Sequence, residues 1–297
     1  MRYLSEILLR GMSETERALF HNSHLRLGHH PTLKHGLYMP EQARYSGMSM
    51  LGLPEQGKSG EMENIAIQDM LRGRSVFYID PHGDSIKKII RRLPVHLLHK
   101  VYLFDITDLK YPLVMNMLAD VDPDDEIELA KAVNIGMHMF EVNWPEVMLQ
   151  AHFPRYVRMT LLALFWNRDC TLVDMLPFLT NTAFREAKLK AVKDQTVLDF
   201  WRRFDEMTSA GRNQQIEPLV TRLEAWFAGR AMIRNLLGHA QNSINLDQFI
   251  REGNTLLVPF PLKELEDESK LIGSILIASS QSSLIFVICC GKTGVVR

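Results

Sequence analysis

The segment Gly52-Leu53-Pro54-Glu55-Gln56-Gly57-Lys58-Ser59 satisfies every fixed position of the pattern G-x-x-x-x-G-K-[ST]. No other stretch restricts the fold as tightly. Met48-Ser49-Met50-Leu51 before it reads as a short buried strand, and Glu61 to Leu71 after it predicts a helix with a stripe of Met62, Ile65, Ala66, Asp69 and Met70. Glycines let the backbone turn its N–H groups toward an anion, and the following helix presents its positive end to the same place. The pattern therefore puts Gly52, Pro54, Glu55, Gln56, Gly57, Lys58, Ser59 and Gly60 around phosphate, with Lys58 as the catalytic cation and the Ser59 hydroxyl as the Mg²⁺ ligand. The plain alternative is a glycine turn that binds nothing.

The 297 residues, 46% of them hydrophobic, can build one large α/β domain or a domain with a sizeable insertion. A formal net charge of −1 argues against coating nucleic acid by bulk charge, although a basic lining inside a ring or groove leaves no trace in the total. Three cysteines, Cys170 alone and Cys289 beside Cys290, form neither a disulfide framework nor a zinc spacing, and they suggest a reducing, cytoplasmic compartment. The start lacks the basic, apolar and cleavage regions of a signal peptide. Leu271 to Cys290 is broken by Gly273, Gln281 and several serines, so no membrane span is expected.

Along the chain, residues 1–45 read as a helical cap and connector, with histidines at 21, 24, 29, 30 and 35 in no zinc spacing and short strands at Leu25-Arg26-Leu27-Gly28 and Leu37-Tyr38-Met39-Pro40. Residues 46–122 form the first part of an α/β core. After the loop and its helix come the strand Ser75 to Asp80, a polar tip Asp80-Pro81-His82-Gly83-Asp84, a helix with Lys87, Lys88, Arg91 and Arg92 on one face, and the strand Val101 to Asp105. That succession predicts βαβ units and a parallel sheet. Asp84 is expected to cap its helix, and the basic face to be solvated. Residues 123–240 carry helical spacing and read as an all-helical insertion, its aromatic residues packed in the core. Residues 241–297 return to the core with a strand at Thr255 to Phe260, a helix from about 268 to 283 and a last strand at Leu284 to Ile288.

Gly52 to Ser59, the helix Glu63 to Asp69, the tip Ile79-Asp80-Pro81-His82-Gly83-Asp84 and the stretch Val101 to Asp105 together resemble the HerA/FtsK-like DNA-pumping ATPases. Within that group the chain looks most similar to the coupling proteins of conjugative type IV secretion systems. Arg234-Asn235-Leu236-Leu237-Gly238 and Gly253 to Val258 extend the likeness, which covers roughly residues 25 to 285. The resemblance implies a RecA-like P-loop NTPase core with a mostly parallel sheet and a helical insertion, ATP and Mg²⁺ as cofactors, and a homo-oligomeric ring, usually a hexamer. It also implies DNA and secretion-channel or relaxosome proteins as partners, at the inner face of the membrane.

Two departures qualify what the resemblance implies. Glu55 stands where the family commonly has glycine, and an acid inside an anion loop repels phosphate if it points inward. No strand ending in Asp-Glu follows the Gly253 region, so the acid that orients the attacking water is unaccounted for, and the apolar end of the chain suggests a truncated or frame-shifted reading frame. Asp80 is expected at the edge of the site, touching Mg²⁺ through water. The first reading is thus an ATP-driven DNA-translocating subunit. The alternatives are a hydrolytically degenerate nucleotide-binding or structural subunit and, more weakly, a signalling P-loop NTPase.

Overall fold

The computed structural model describes residues 13–14, 20, 23–29, 32, 36–44, 47–53, 55–80, 83–105, 108, 110, 112–150, 152–259, 271–274, 286–289 and 294–296. They form a mixed α/β structure, mostly helical, in two compact units. The first comprises Met1–Asp105, Leu246–Glu264 and Ser283–Arg297; the second comprises Ile106–Asn245 and Leu265–Ser282.

In the first unit β1 (His24–His29) and β2 (Gly36–Pro40) pair as an antiparallel hairpin with a bulge between Arg26 and Gly28. The main sheet has β4 (Val76–Asp80) at its centre, every residue of it buried, which is why this strand reads as an unbroken apolar run. On one side lies β6 (Thr255–Pro259) and then β5 (Val101–Leu103), both parallel, with Val76 level with Thr255 and Val101. On the other side β7 (Phe286–Cys289) is parallel, followed by β8 (Gly294–Val296) and β3 (Met48–Met50), which pair antiparallel. The strand that leads into the glycine loop is therefore at an edge of the sheet. Its expected burial is corrected accordingly: Ser49 is exposed and Leu51 is 81% exposed.

Helix α1 (Lys58–Leu71) and helix α2 (Asp84–Arg92) cover this sheet, burying Met62, Ile65, Ala66, Met70, Ile86 and Ile89 against Val76, Tyr78 and Leu257. Leu25 and Met39 of the hairpin join the same cluster. Polar contacts fix the hairpin to α1: Gln68 donates to the Arg26 carbonyl and accepts from the Arg26 N–H, and Arg72 donates to the His24 carbonyl. The anchor is Asp69, fully buried on the apolar stripe of α1. Its carboxylate takes two bonds of 2.8 and 2.6 Å from Arg44, in the 3-10 turn Glu41–Arg44, and a third of 3.2 Å from Arg74, which also reaches Glu41 at 2.6 Å. A buried carboxylate is tolerable only when matched in this way.

Close approach of two turns fixes the neighbours β4 and β6. A Cβ on Gly253, at φ 68, would meet the Gly73 carbonyl oxygen, so only glycine fits there. Ser75 donates to the carbonyls of Phe249 and Ile250 in α11 (Leu246–Arg251), holding the start of β4 to the element before β6.

The second unit is helical, as the spacing predicts: α3 (Glu126–Asn143), α4 (Pro145–Met148), α5 (Phe153–Phe165), α6 (Met175–Thr180), α7 (Thr182–Leu189), α8 (Gln195–Asp205), α9 (Ser209–Phe227) and α10 (Ala231–Leu237). Asp125, Asn181, Asp194 and Thr208 cap α3, α7, α8 and α9, and Thr171 with Asp174 forms a capping box before α6. Trp201 is fully buried among Tyr156, Phe178, Phe200 and Phe204. Trp144 stacks on Trp226 with centroids 4.0 Å apart. Arg185, also buried, pairs with Asp205 and donates to the carbonyls of Phe178 and Leu179. Of the helix expected from 268 to 283, the described residues 271–274 are helical. No described helix is long and apolar enough to cross a membrane.

The Asp69 anchor makes a definite expectation for stability. Arg44→Met should lose about 3 kcal/mol in urea unfolding, because it removes two of the three bonds to a buried carboxylate and leaves it the longer one from Arg74. The double variant Arg44→Met/Asp69→Leu should recover most of that loss, which would not happen if the pair served only as surface decoration.

Candidate functional site

The loop between β3 and α1 is solvent-facing: Leu51, Gly52, Leu53, Glu55, Gln56, Gly57 and Ser59 are exposed, and Lys58 and Gly60 are partly so. Pro54 lies outside the described residues. Gly57, at φ 82 and ψ 9, is left-handed and forms the N-cap of α1, and no side chain caps the helix. Its first N–H groups thus have neither an intrahelical acceptor nor a capping oxygen. Glu61 N–H closes the first turn onto the Gly57 carbonyl at 3.0 Å.

Lys58 is the first residue of α1. An ammonium there stands at the positive end of the helix dipole, where a cation destabilises and an anion is welcome. The side chain folds back instead, donating to the Gly52 carbonyl at 2.5 Å and the Leu53 carbonyl at 2.8 Å. The lysine stem passes beside Gly52, where a Cβ would stand in ordinary contact with it at 3.6 Å. Lys58, Gly52 and the open end of α1 are brought together, with Ser59 exposed one residue further on.

Glu55 has φ 64, one of two described non-glycine residues at positive φ, and its side chain is exposed. Glu61, in the first turn of α1, is half-buried, and its Oε1 is buried with no hydrogen-bond partner among the described residues. Burial holds its carboxyl above the usual carboxylate range, against a smaller opposing effect of a bond to Asn64.

Asp80, at the tip of β4, is buried, and its Oδ2 accepts from the N–H groups of Ser85 at 2.8 Å and Ile86 at 3.3 Å. It caps α2. The expectation that Asp84 does so is corrected: Asp84 is the exposed first residue of α2, Gly83 occupies the N-cap position, and the cap reaches across from the strand end. The capping aspartate stands three residues before the N-cap position, outside the local spacing of an ordinary cap, although a strand ending in Asp before a glycine is a usable signal. Pro81 and His82 lie outside the described residues. On the basic face, Lys88 and Arg92 lie 3.7 and 3.8 Å from Glu63 of α1, and Arg92 donates to Asn64 at 2.6 Å; Lys87 and Arg91 are exposed.

Elsewhere, His24 stacks on Phe20 and shares hydrogen bonds with Ser23 and the Phe20 carbonyl. Histidines 21, 30 and 35 lie outside the described residues, among which no group of three His, Cys, Asp or Glu side chains could hold a metal ion. Arg222 donates to the Pro218 carbonyl and Arg234 to the Phe227 carbonyl within the helical unit. Cys170 is buried, and burial pushes its thiol up to about 11. No protein-family model matches the chain, and no curated protein matches it.

Asp80→Ala should lower stability by about 1–2 kcal/mol through loss of the cap, whereas Asp84→Ala should stay within about 0.5 kcal/mol, both read by chemical unfolding. Glu61 gives a pH dependence. Its folded pKa is raised, so the native state holds this proton more tightly and loses stability as pH rises from the ordinary carboxylate range through the raised value. Glu61→Gln removes that slope: the melting temperatures of variant and wild type should coincide at acid pH and separate in favour of the variant as pH rises.

Proposed function

We propose that the loop from Gly52 to Gly60 binds the phosphates of Mg-ATP, and that the chain is an ATPase subunit of a DNA-translocating assembly of the conjugative coupling-protein kind. The observation that carries the nucleotide reading is Lys58. It is misplaced for helix stability at the positive end of α1, and it is parked on two exposed carbonyls beside uncapped N–H groups. An arriving phosphate offers that ammonium and those N–H groups a stronger acceptor than the carbonyls do.

Ser59, exposed next to Lys58, is the side chain that would hold Mg²⁺, whose chemistry is to neutralise charge that builds on the phosphates. Lys58 would hold the terminal phosphates, and the N–H groups at the start of α1 would orient them. The motor part of the proposal, with a RecA-like core, a hexameric ring, passage of DNA, and secretion-channel or relaxosome partners at the inner membrane face, is supported by the order of the motifs. The sheet adds to it by bringing the Asp80 and Thr255–Pro259 segments side by side on parallel strands.

One observation favours a second reading, binding without turnover. The Asp80 Oδ2 is engaged with the N-terminus of α2, a structural duty that takes one of its oxygens away from the water-mediated Mg²⁺ contact, and no other acid for orienting the attacking water is identified in the sequence. Magnesium-dependent ATP turnover separates the two readings. The first expects turnover that DNA stimulates and that Lys58→Ala lowers by about 100-fold or more, the scale of losing one stabilising cation. Saturable binding with turnover no greater than that of Lys58→Ala would favour the second, and equal binding by both proteins would overturn the nucleotide reading.

A further inference from the structure

We propose that Cys170 and Lys188 form a modification site, at which peroxide joins the cysteine sulfur to the lysine nitrogen as a reversible sulfenamide tie within the helical unit. The site is independent of the Gly52 to Gly60 loop and of any nucleotide bound there.

A lysine set against a buried thiol is the starting point. Cys170 is 1% exposed, and the ammonium of Lys188, in the last turn of α7, donates to its sulfur. The same ammonium donates to Asp169 Oδ2 at 2.6 Å, so it stands between an exposed carboxylate and an enclosed sulfur. The Lys188 side chain is 15% exposed, low for a residue whose ammonium ordinarily stays in water. Backbone contacts hold both partners in place. The Asn167 side chain donates to the Lys188 carbonyl at 3.1 Å, and the Asn167 carbonyl accepts from the Cys170 N–H at 2.9 Å, so cysteine and lysine hang from one residue. Asn116 donates to the Cys170 carbonyl at 3.0 Å from the other side of the turn.

What surrounds the sulfur decides its chemistry. Cys170 is the only cysteine in the second unit, so no other thiol of that unit competes for an oxidised sulfur. The charged groups around it are Lys188, Asp169 and Asp174, and the Asp174 carboxylate is engaged with the N–H and hydroxyl of Thr171. Hydrogen peroxide oxidises the thiol by two electrons: the O–O bond breaks, an S–O bond forms, and the thiol proton leaves with the other hydroxyl as water, giving a sulfenic acid. Lys188 then loses one proton to solvent beside the exposed Asp169. Its nitrogen lone pair forms the S–N bond, and the sulfenic hydroxyl departs with a second nitrogen-bound proton as water. One thiol, one amine and one peroxide thus give one sulfenamide and two waters. Burial pushes the thiol up to about 11 and keeps it protonated near neutral pH, so the first step is slow and the tie answers sustained oxidation. An external thiol reopens it by attacking the sulfur and returning the bonding pair to the amine.

The test treats the folded full chain with hydrogen peroxide, alkylates the remaining thiols under denaturing conditions and maps the products by peptide mass spectrometry. The wild type is expected to yield a linked species that joins the peptides of Cys170 and Lys188, lighter by two hydrogens than their sum and lost on treatment with dithiothreitol. Lys188→Arg keeps a cation beside the sulfur and removes the nucleophile. It should yield no linked species and pass instead to sulfinic acid at Cys170. Wild type unfolded in urea before the peroxide is added keeps both residues and loses their placement, so the link should disappear there too, a control that stands even where the variant does not fold. Folded wild type that accumulates the same sulfinic acid as Lys188→Arg without a link, that keeps Cys170 fully alkylatable after prolonged peroxide, or that links no better than in urea overturns the assignment.

Discussion

A carboxylate taken wholly out of water must be met by cations, and the burial of Asp69 imposes that condition on the whole first unit. The cations come from two directions, Arg44 from the turn after the hairpin and Arg74 from the turn after α1. Meeting the condition therefore docks the hairpin, fixes the tail of α1 and sets where β4 begins. Gln68 and Arg72 complete the clamp through the backbone of β1. The Asp69 carboxylate at the tail of α1 is thus fully buried and met by both arginines.

The head of the same helix is the opposite. It is uncapped, begins with a lysine at its positive end, and follows an exposed loop carrying two left-handed residues, Glu55 and Gly57. A helix immobilised at one end and left electrostatically unfinished at the other is suited to receive an anion with no change beyond the turn of the Lys58 side chain. The contrast with α2 is instructive. Its N-terminus is closed from within by Asp80, a built-in acceptor for which the start of α1 has no side-chain counterpart among the described residues.

Much of this was legible in the residues. The period of the apolar stripe gave α1 to within three residues at its start, the alternation of strands and helices foretold β4, β5 and β6, and the spacing after Asp124 foretold the helical unit. Strand order was not legible, because β3 is separated from β4 by strands that come from residues 286–296, and pairing at such sequence distance leaves no local pattern. Asp69 fell on the predicted stripe, but its partners Arg44 and Arg74 are set by the hairpin's tertiary placement. The loop residues were legible as a set from glycine and lysine spacing alone, while the posture of Lys58 on the Gly52 and Leu53 carbonyls depends on backbone geometry that spacing does not encode.

The central claim is that the open head of α1, and no other part of the first unit, is where a phosphate-bearing ligand docks. Hydrogen–deuterium exchange of the full chain with and without magnesium and the imido analogue of ATP addresses it directly. The account predicts slowed exchange confined to residues 52–62, with the already enclosed tail of α1 and the Asp80-capped start of α2 unchanged. Exchange unaffected at 52–62, or protection appearing at the start of α2 instead, would contradict it.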